Sequence, residues 1–186
     1  MTDQDALRLC PLPDEVTLLL RELAAPPRLV AHLRLVHDTA ARLTDGVAAY
    51  CPALEFDRAA VLFGAATHDI GKTVHRAELS GPGSAHEPAG RELLLAAGVA
   101  PRLARFAAGH GSWGPGTGVE DLLVSLADKV WKNKRVPDLE DLLVDALVRA
   151  GAGERWEVFL ALDELLTAIG DGAEERLAHQ ALFPVA

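Results

Sequence analysis

Apolar residues recur with the 3.6-residue period of an α-helix along almost the whole chain. In the longest such segment, Leu29, Leu33, Val36, Ala40 and Leu43 form one stripe that a helix would bury. Runs that alternate polar and apolar residues, as half-buried strands do, are absent from the sequence. The sequence therefore predicts an all-α fold, arranged as a single-domain helical bundle.

Proline, glycine and capping residues divide this pattern into nine predicted helices. They are expected at residues 14–23, 28–50, 58–69, 84–97, 101–110, 120–135, 137–151, 154–169 and 174–182. Asp57 is the predicted N-cap of the third helix, and Ser84 with Glu87 has the spacing of a capping box at the start of the fourth. The stretches 73–85 and 111–118 are rich in glycine, so we predict loops there.

The 186 residues contain no internal repeat, linker or low-complexity tract, so we predict one domain over residues 1–186. The motifs described below lie within residues 28–135. The C-terminal helices, over residues 138–182, are expected to pack on that part of the chain.

Charge and composition exclude several classes of protein. The net charge of −9 at pH 7 argues against a nucleic-acid polymer as partner. The longest uncharged apolar stretches, such as residues 59–67, fall short of the ~20 residues that a membrane span needs, and we expect no membrane association. No secretory leader is visible, and Cys10 and Cys51 have no metal-type spacing, so we expect a cytoplasmic location.

Four histidines and two aspartates stand where predicted helices end or face a core. In chain order they are His32, His68, Asp69, His86, His110 and Asp128. Imidazole and carboxylate together suit Fe, Mn, Co, Ni or Zn. A single histidine in a helix is more often an ordinary core or surface residue, but the adjacent pair His68 and Asp69 at a helix end places two such donors together.

These motifs resemble the HD-domain superfamily of metal-dependent phosphohydrolases. The matching stretches are Ala31–Val36, His68–Lys72, His86–Glu87, Gly109–His110 and Ala127–Lys129. The two middle histidines, His86 and His110, are a feature of the dinuclear members of that superfamily. Mononuclear HD nucleotidases usually lack them.

The resemblance implies two divalent transition-metal ions, with Fe or Mn favoured and Co, Ni, Zn or Mg as alternatives. It assigns His32, His68, Asp69 and Asp128 to the first ion, and His86 and His110 to the second. Asp69 would bridge the two ions, and a water or hydroxide between them would attack phosphorus. Asp69 and Lys72 are thus the expected catalytic residues, Lys72 holding the attacking water or a phosphate oxygen unless it is merely a solvated lysine.

Two histidines compete for the position of the first ligand. His32 lies on the flank of the buried stripe, four residues before Val36, whereas His37 is turned away by roughly 140°. The family spacing His-x-x-x-Val-x-x-x-Ala also fits His32, Val36 and Ala40. We therefore predict that His32 is the ligand and that His37 is a surface or second-layer residue.

Four further residues are candidates for substrate binding. Lys132 and Arg135 share a helical face with Asp128 if the helix continues to residue 135, whereas Lys129 would point elsewhere. A basic helix end that complements the dipole is the alternative. His75 lies in the loop after Lys72. Trp113, in the glycine-rich loop after His110, is either a wall for a nucleobase or a loop anchor.

The leading functional hypothesis is a phosphohydrolase that acts on a small phosphorylated substrate, with a nucleotide favoured. HD hydrolases of diadenosine tetraphosphate resemble the chain in size and ligand set, but residues 128–135 depart from their pattern. HD-type cyclic dinucleotide phosphodiesterases have a Gly-Tyr-Pro signature that this chain lacks. The alternatives are an HD-type mixed-valent di-iron oxygenase and a non-catalytic nucleotide-binding module. Homodimerisation stays open.

Overall fold

The computed structural model describes residues 7–185, and it is all-helical over that range, as predicted. Its nine α-helices are α1 (Asp14–Glu22), α2 (Pro27–Tyr50), α3 (Arg58–Thr67), α4 (His86–Ala96), α5 (Pro101–Gly109), α6 (Val119–Val130), α7 (Pro137–Arg149), α8 (Arg155–Gly170) and α9 (Ala173–Ala181). Two 3-10 turns, Ile70–Thr73 and Arg76–Leu79, connect α3 to α4. None of the helices in this range is long and apolar enough to cross a membrane.

Helix α2 is the centre of the bundle and packs against α3, α6, α8 and α9. Its apolar side chains enter two cores. The larger core joins Leu43 of α2 to Leu123 of α6 and to side chains of α7 and α8. The smaller one joins Leu29, near the start of α2, to α1, α3, α4 and α5. The first turns of α2 therefore belong to the smaller core, and the rest of the helix belongs to the larger one.

The start of α3 agrees with the sequence, but the start of α4 does not. Asp57 caps α3 by accepting a hydrogen bond of 2.9 Å from the amide of Ala60. The predicted capping box of Ser84 and Glu87 is wrong, because α4 begins at His86 and neither side chain caps it. The carboxylate of Glu78 accepts from the amides of Ala85 and His86 instead, each at 3.1 Å. The predicted loop 73–85 holds the second 3-10 turn, which brings Glu78 to that position.

Helix α6 ends five residues earlier than predicted. It stops at Val130, and Asn133 then has a φ of 55°, in the left-handed region. The amide of Lys134 bonds the carbonyl of Lys129, so the chain turns away from the helix axis. The helical face that would have aligned Lys132 and Arg135 with Asp128 is therefore not formed.

The first 3-10 turn approaches α4 unusually closely. A Cβ at Gly71 would overlap the carbonyl oxygen of His86 and lie 2.6 Å from the amide nitrogen of Gly90. A Cβ at Gly90 would in turn lie 3.1 Å from the amide nitrogen of Gly71. The two glycines thus allow backbone to pack on backbone, which places Asp69, just before this turn, beside the first residue of α4.

Candidate metal centre

The six histidine and aspartate side chains singled out in the sequence converge at one buried place. Each of them is at most 9% exposed. They come from five parts of the fold: His32 from α2, His68 and Asp69 from the end of α3, His86 from the start of α4, His110 from the end of α5 and Asp128 from the last turn of α6.

Asp69 lies between two pairs of histidines. Its Oδ2 atom is 3.2 Å from His32 Nε2 and 3.7 Å from His68 Nε2. Its Oδ1 atom is 3.0 Å from His86 Nε2 and 3.5 Å from His110 Nε2. Each carboxylate oxygen thus faces one pair of imidazoles, which is the arrangement that a bridging carboxylate needs.

Asp128 adds a second carboxylate to the first pair of histidines, His32 and His68. Its Oδ1 atom is 3.4 Å from His68 Nε2 and 3.7 Å from His32 Nε2, and the two Nε2 atoms are 3.3 Å apart. Nitrogen and carboxylate donors that converge on one point in this way suit a divalent transition metal. Within residues 7–185, His86 Nε2 is buried and has no hydrogen-bond partner, which also fits a metal-binding site.

The two aspartates are anionic. Burial by itself raises the pKa of Asp69, but the charge of His68 and the close imidazoles of His110, His32 and His86 hold it well below its ordinary value. Burial likewise raises the pKa of Asp128, but the hydrogen bond with His68 and the charges of His68, Lys129 and His32 together hold it well below its ordinary value. Both side chains are therefore hydrogen-bond acceptors only at neutral pH.

Two lysines form ion pairs with these aspartates. Lys72 Nζ is 2.6 Å from Asp69 Oδ2, and Lys129 Nζ is 2.6 Å from Asp128 Oδ2. The prediction that Lys129 points elsewhere is wrong, because its flexible side chain turns back along the helix to the neighbouring carboxylate. The site therefore contains two ammonium groups beside its two carboxylates.

Glu78 orients His86 and was missed in the sequence. Its Oε2 atom accepts a hydrogen bond of 2.6 Å from His86 Nδ1, which leaves the Nε2 lone pair facing Asp69. Carboxylates that fix a histidine in this way set its tautomer and raise its strength as a ligand. Only a knowledge of the second 3-10 turn would have identified Glu78, because it lies eight residues before His86 in the chain.

Replacing Glu78 with glutamine is expected to weaken binding of the ion held by His86 by about 10- to 100-fold, the usual effect of losing such a partner. The amide oxygen of glutamine can still accept from the start of α4, so the fold should persist. Titration of metal-free protein with Mn²⁺ measures this effect. Glu92→Gln, an exposed change on α4, is the control, and equal affinities in both variants would contradict the assigned role.

A cleft of about 250 Å³ opens onto His32 and Asp69. His32, Asp69 and Lys72 line its inner end, and Arg28 and Lys132 line its walls. The remaining lining residues are apolar or neutral, namely Leu29, Leu79, Trp131, Leu177 and Gln180. The cleft thus combines cationic groups with an apolar surface next to the candidate metal ligands.

Of the four predicted substrate-binding residues, the structure brings only Lys132 to this cleft. Arg135 forms ion pairs of 2.7 Å with Glu140 and 2.8 Å with Asp163, because the chain turns after α6. Trp113 packs on the larger core, and His75 precedes the second 3-10 turn. Arg28 was missed, since an arginine in the first turn of a helix has no signal that separates it from a solvated surface residue.

His37 is neither a surface residue nor part of the convergent group. It is 2% exposed, and its neighbour Asp38 accepts a hydrogen bond from the amide of Cys10 in the N-terminal segment. Burial lowers the pKa of His37, so the neutral imidazole is the form that packs there. The prediction of a surface position was wrong because the segment before α1 covers this face of α2.

Replacing His37 with alanine is expected to leave metal binding within about twofold of the wild type. The same change should lower the free energy of unfolding by about 1 to 3 kcal/mol, because it removes a buried side chain. Mn²⁺ titration and urea unfolding measure the two effects. Loss of a bound ion in this variant would overturn the choice of His32 as the ligand.

Comparison with protein families identifies one match. A family model described as HD domain matches residues 29–146, which include all six convergent side chains. No curated protein matches the chain. No solved structure matches it either.

Proposed function

Because the chain belongs to the HD-domain superfamily of metal-dependent phosphohydrolases, we propose that it hydrolyses a phosphoester or phosphoanhydride bond. The proposed substrate is small and phosphorylated, and we favour a nucleotide. One observation supports this most directly: the two oxygens of Asp69 face two separate histidine pairs at the inner end of a cationic cleft.

The donor set suits two divalent ions, with Fe or Mn favoured. His32, His68 and Asp128 would hold the first ion, His86 and His110 the second, and Asp69 would contribute one oxygen to each. Such ions lower the pKa of a coordinated water and neutralise the charge that develops on a phosphoryl group.

The cationic side chains of the cleft would position the substrate. Lys72, already 2.6 Å from Asp69 Oδ2, can hold a phosphoryl oxygen at the inner end as a point charge. Arg28 and Lys132, on the walls, can bind further phosphate oxygens. The whole chain has a net charge of −9, yet these three cations lie together in the cleft. The cleft therefore favours an anionic ligand.

The size and apolar walls of the cleft support a small substrate that has an organic part. Its volume of about 250 Å³ lies near the lower end of the range for small-molecule sites. The accessible faces of Leu79 and Leu177 can pack against a base or sugar. These features favour a nucleotide over inorganic polyphosphate.

A panel of substrates tests the proposal. Mononucleotides, dinucleoside polyphosphates, cyclic nucleotides and small phosphate esters are incubated anaerobically with the Mn²⁺- or Fe²⁺-loaded protein, and released phosphate or nucleotide is measured. Asp69→Ala is the blank. We expect at least one substrate that only the wild type hydrolyses. Absence of hydrolysis by protein that binds two ions would contradict the proposal and favour the oxygenase alternative.

A further inference from the structure

The two sets of candidate metal ligands are unequal. The first ion is offered His32, His68 and Asp128 in addition to Asp69, whereas the second is offered only His86 and His110 besides Asp69. The second position therefore has one candidate protein ligand fewer than the first.

Glu87 places a carboxylate at this second position. One ligand atom each of His86, Glu87 and His110 lies within 4.8 Å of the others. Glu87 is half-buried, and the two lysines of the site pair with Asp69 and Asp128 and not with it. Nor does Glu87 cap α4, because Glu78 bonds the amides there.

The loop after α5 makes room for this carboxylate. A Cβ at Gly111 would lie 2.7 Å from Glu87 Oε1, which is closer than side-chain carbons approach other atoms. Glycine at this position therefore lets the backbone after His110 pass directly over the Glu87 carboxylate. The carboxylate and His110 are held on the same side of the site as a result.

The histidine next to Glu87 provides an unpartnered nitrogen at the second position. His86 Nε2 is buried, faces Asp69 Oδ1 and has no hydrogen-bond partner within residues 7–185. Buried polar atoms are nearly always bonded in folded proteins, so this nitrogen beside a carboxylate that forms no ion pair in the same range indicates a ligand that binds both.

We propose that Glu87 is a further protein ligand of the second metal ion, beside His86, His110 and the bridging Asp69. This inference rests on the dinuclear centre of the proposed function. It gives the second ion two imidazole and two carboxylate ligands, matching the number offered to the first. The added carboxylate makes the set harder and favours Mn²⁺ or Fe²⁺ over softer ions.

Mn²⁺ titration of metal-free protein, followed by the electron paramagnetic resonance of free Mn²⁺, tests the inference without substrate. We expect the wild type to bind two ions. In Glu87→Gln and Glu87→Ala the first ion should bind within twofold of the wild type, while the second is weakened at least about tenfold. Gly111→Ala should weaken the second ion as well, because its Cβ displaces the Glu87 carboxylate.

Two matched controls accompany these variants. Glu92→Gln removes an exposed carboxylate from the same helix, and Gly114→Ala adds a Cβ in the same loop where nothing lies within 4 Å. Both should bind two ions like the wild type. Unchanged binding of the second ion in both Glu87 variants would overturn the inference, and so would equal weakening of both ions with a lowered melting temperature.

The same titration separates this inference from the proposed function. A wild type that binds fewer than two ions would contradict the dinuclear centre and Glu87 together. Two ions with the expected Glu87 effect, but no hydrolysis of any substrate, would support the ligand and contradict only the proposed reaction.

Discussion

Asp69→Ala is expected to lower the affinity for both metal ions by at least about 100-fold and to abolish hydrolysis. Loss of a residue that merely supports a ligand already costs up to about that factor, and Asp69 is placed to contact both ions itself. Its Oδ2 faces His32 and its Oδ1 faces His86, so a single substitution removes one ligand from each position. Mn²⁺ titration and the substrate panel measure the two losses.

Asp128→Ala provides the sharpest comparison. Of the four histidines of the site, Asp128 faces His32 and His68, so its loss should weaken the first ion and leave the second nearly unchanged. Asp45→Ala, which removes an exposed carboxylate paired with Arg58, should change neither. If Asp69→Ala bound two Mn²⁺ ions with wild-type affinity, the assignment of the bridging ligand would be wrong.

Gly71→Ala is expected to destabilise the fold by about 3 kcal/mol, the upper end of the cost of overpacking. The added Cβ overlaps the carbonyl of His86 and lies 2.6 Å from the amide nitrogen of Gly90, and backbone atoms cannot rotate out of its way. The first 3-10 turn must then move from α4, which separates Asp69 from His86. Urea unfolding measures the stability, and Mn²⁺ titration should show a weakened second ion.

Gly109→Ala is the control for this substitution. Gly109 is the last residue of α5, and a Cβ there meets nothing within 4 Å. Alanine favours a helix by up to about 1 kcal/mol over glycine, so this variant should be as stable as the wild type or slightly more so. If Gly71→Ala behaved in the same way, the close backbone contact would have no energetic importance.

Most of the helical architecture was predictable because it depends on local patterns. The apolar stripe of α2 and the prolines before it predicted a helix over residues 28–50, and the structure has Pro27–Tyr50. Asp57 was predictable as the cap of α3 because aspartate is a preferred N-cap residue. Its carboxylate accepts from the amide of Ala60, only three residues further along the chain. Period and capping act within a few turns of one helix, so neighbouring residues already contain the information.

The errors occur where a distant group replaces a local one. Ser84 had the right spacing to cap α4, but Glu78 reaches those amides from the preceding 3-10 turn. Helix α6 had no strong stop signal before residue 135, yet the chain turns at Asn133, and Arg135 pairs with Glu140 and Asp163. The group that caps α4 and the residue at which α6 ends depend on which elements pack nearby. The local sequence does not contain that information.

Periodicity and residue spacing are properties of the unfolded chain, so the all-α class, the order of the helices and the family motif were predictable without a structure. The tertiary structure decided which oxygen of Asp69 faces which histidine pair, that Glu78 orients His86, and that Lys129 and Arg28 lie at the site while Arg135 does not. These relations join residues from different helices. They depend on close backbone packing such as that at Gly71, and only the folded chain creates those distances.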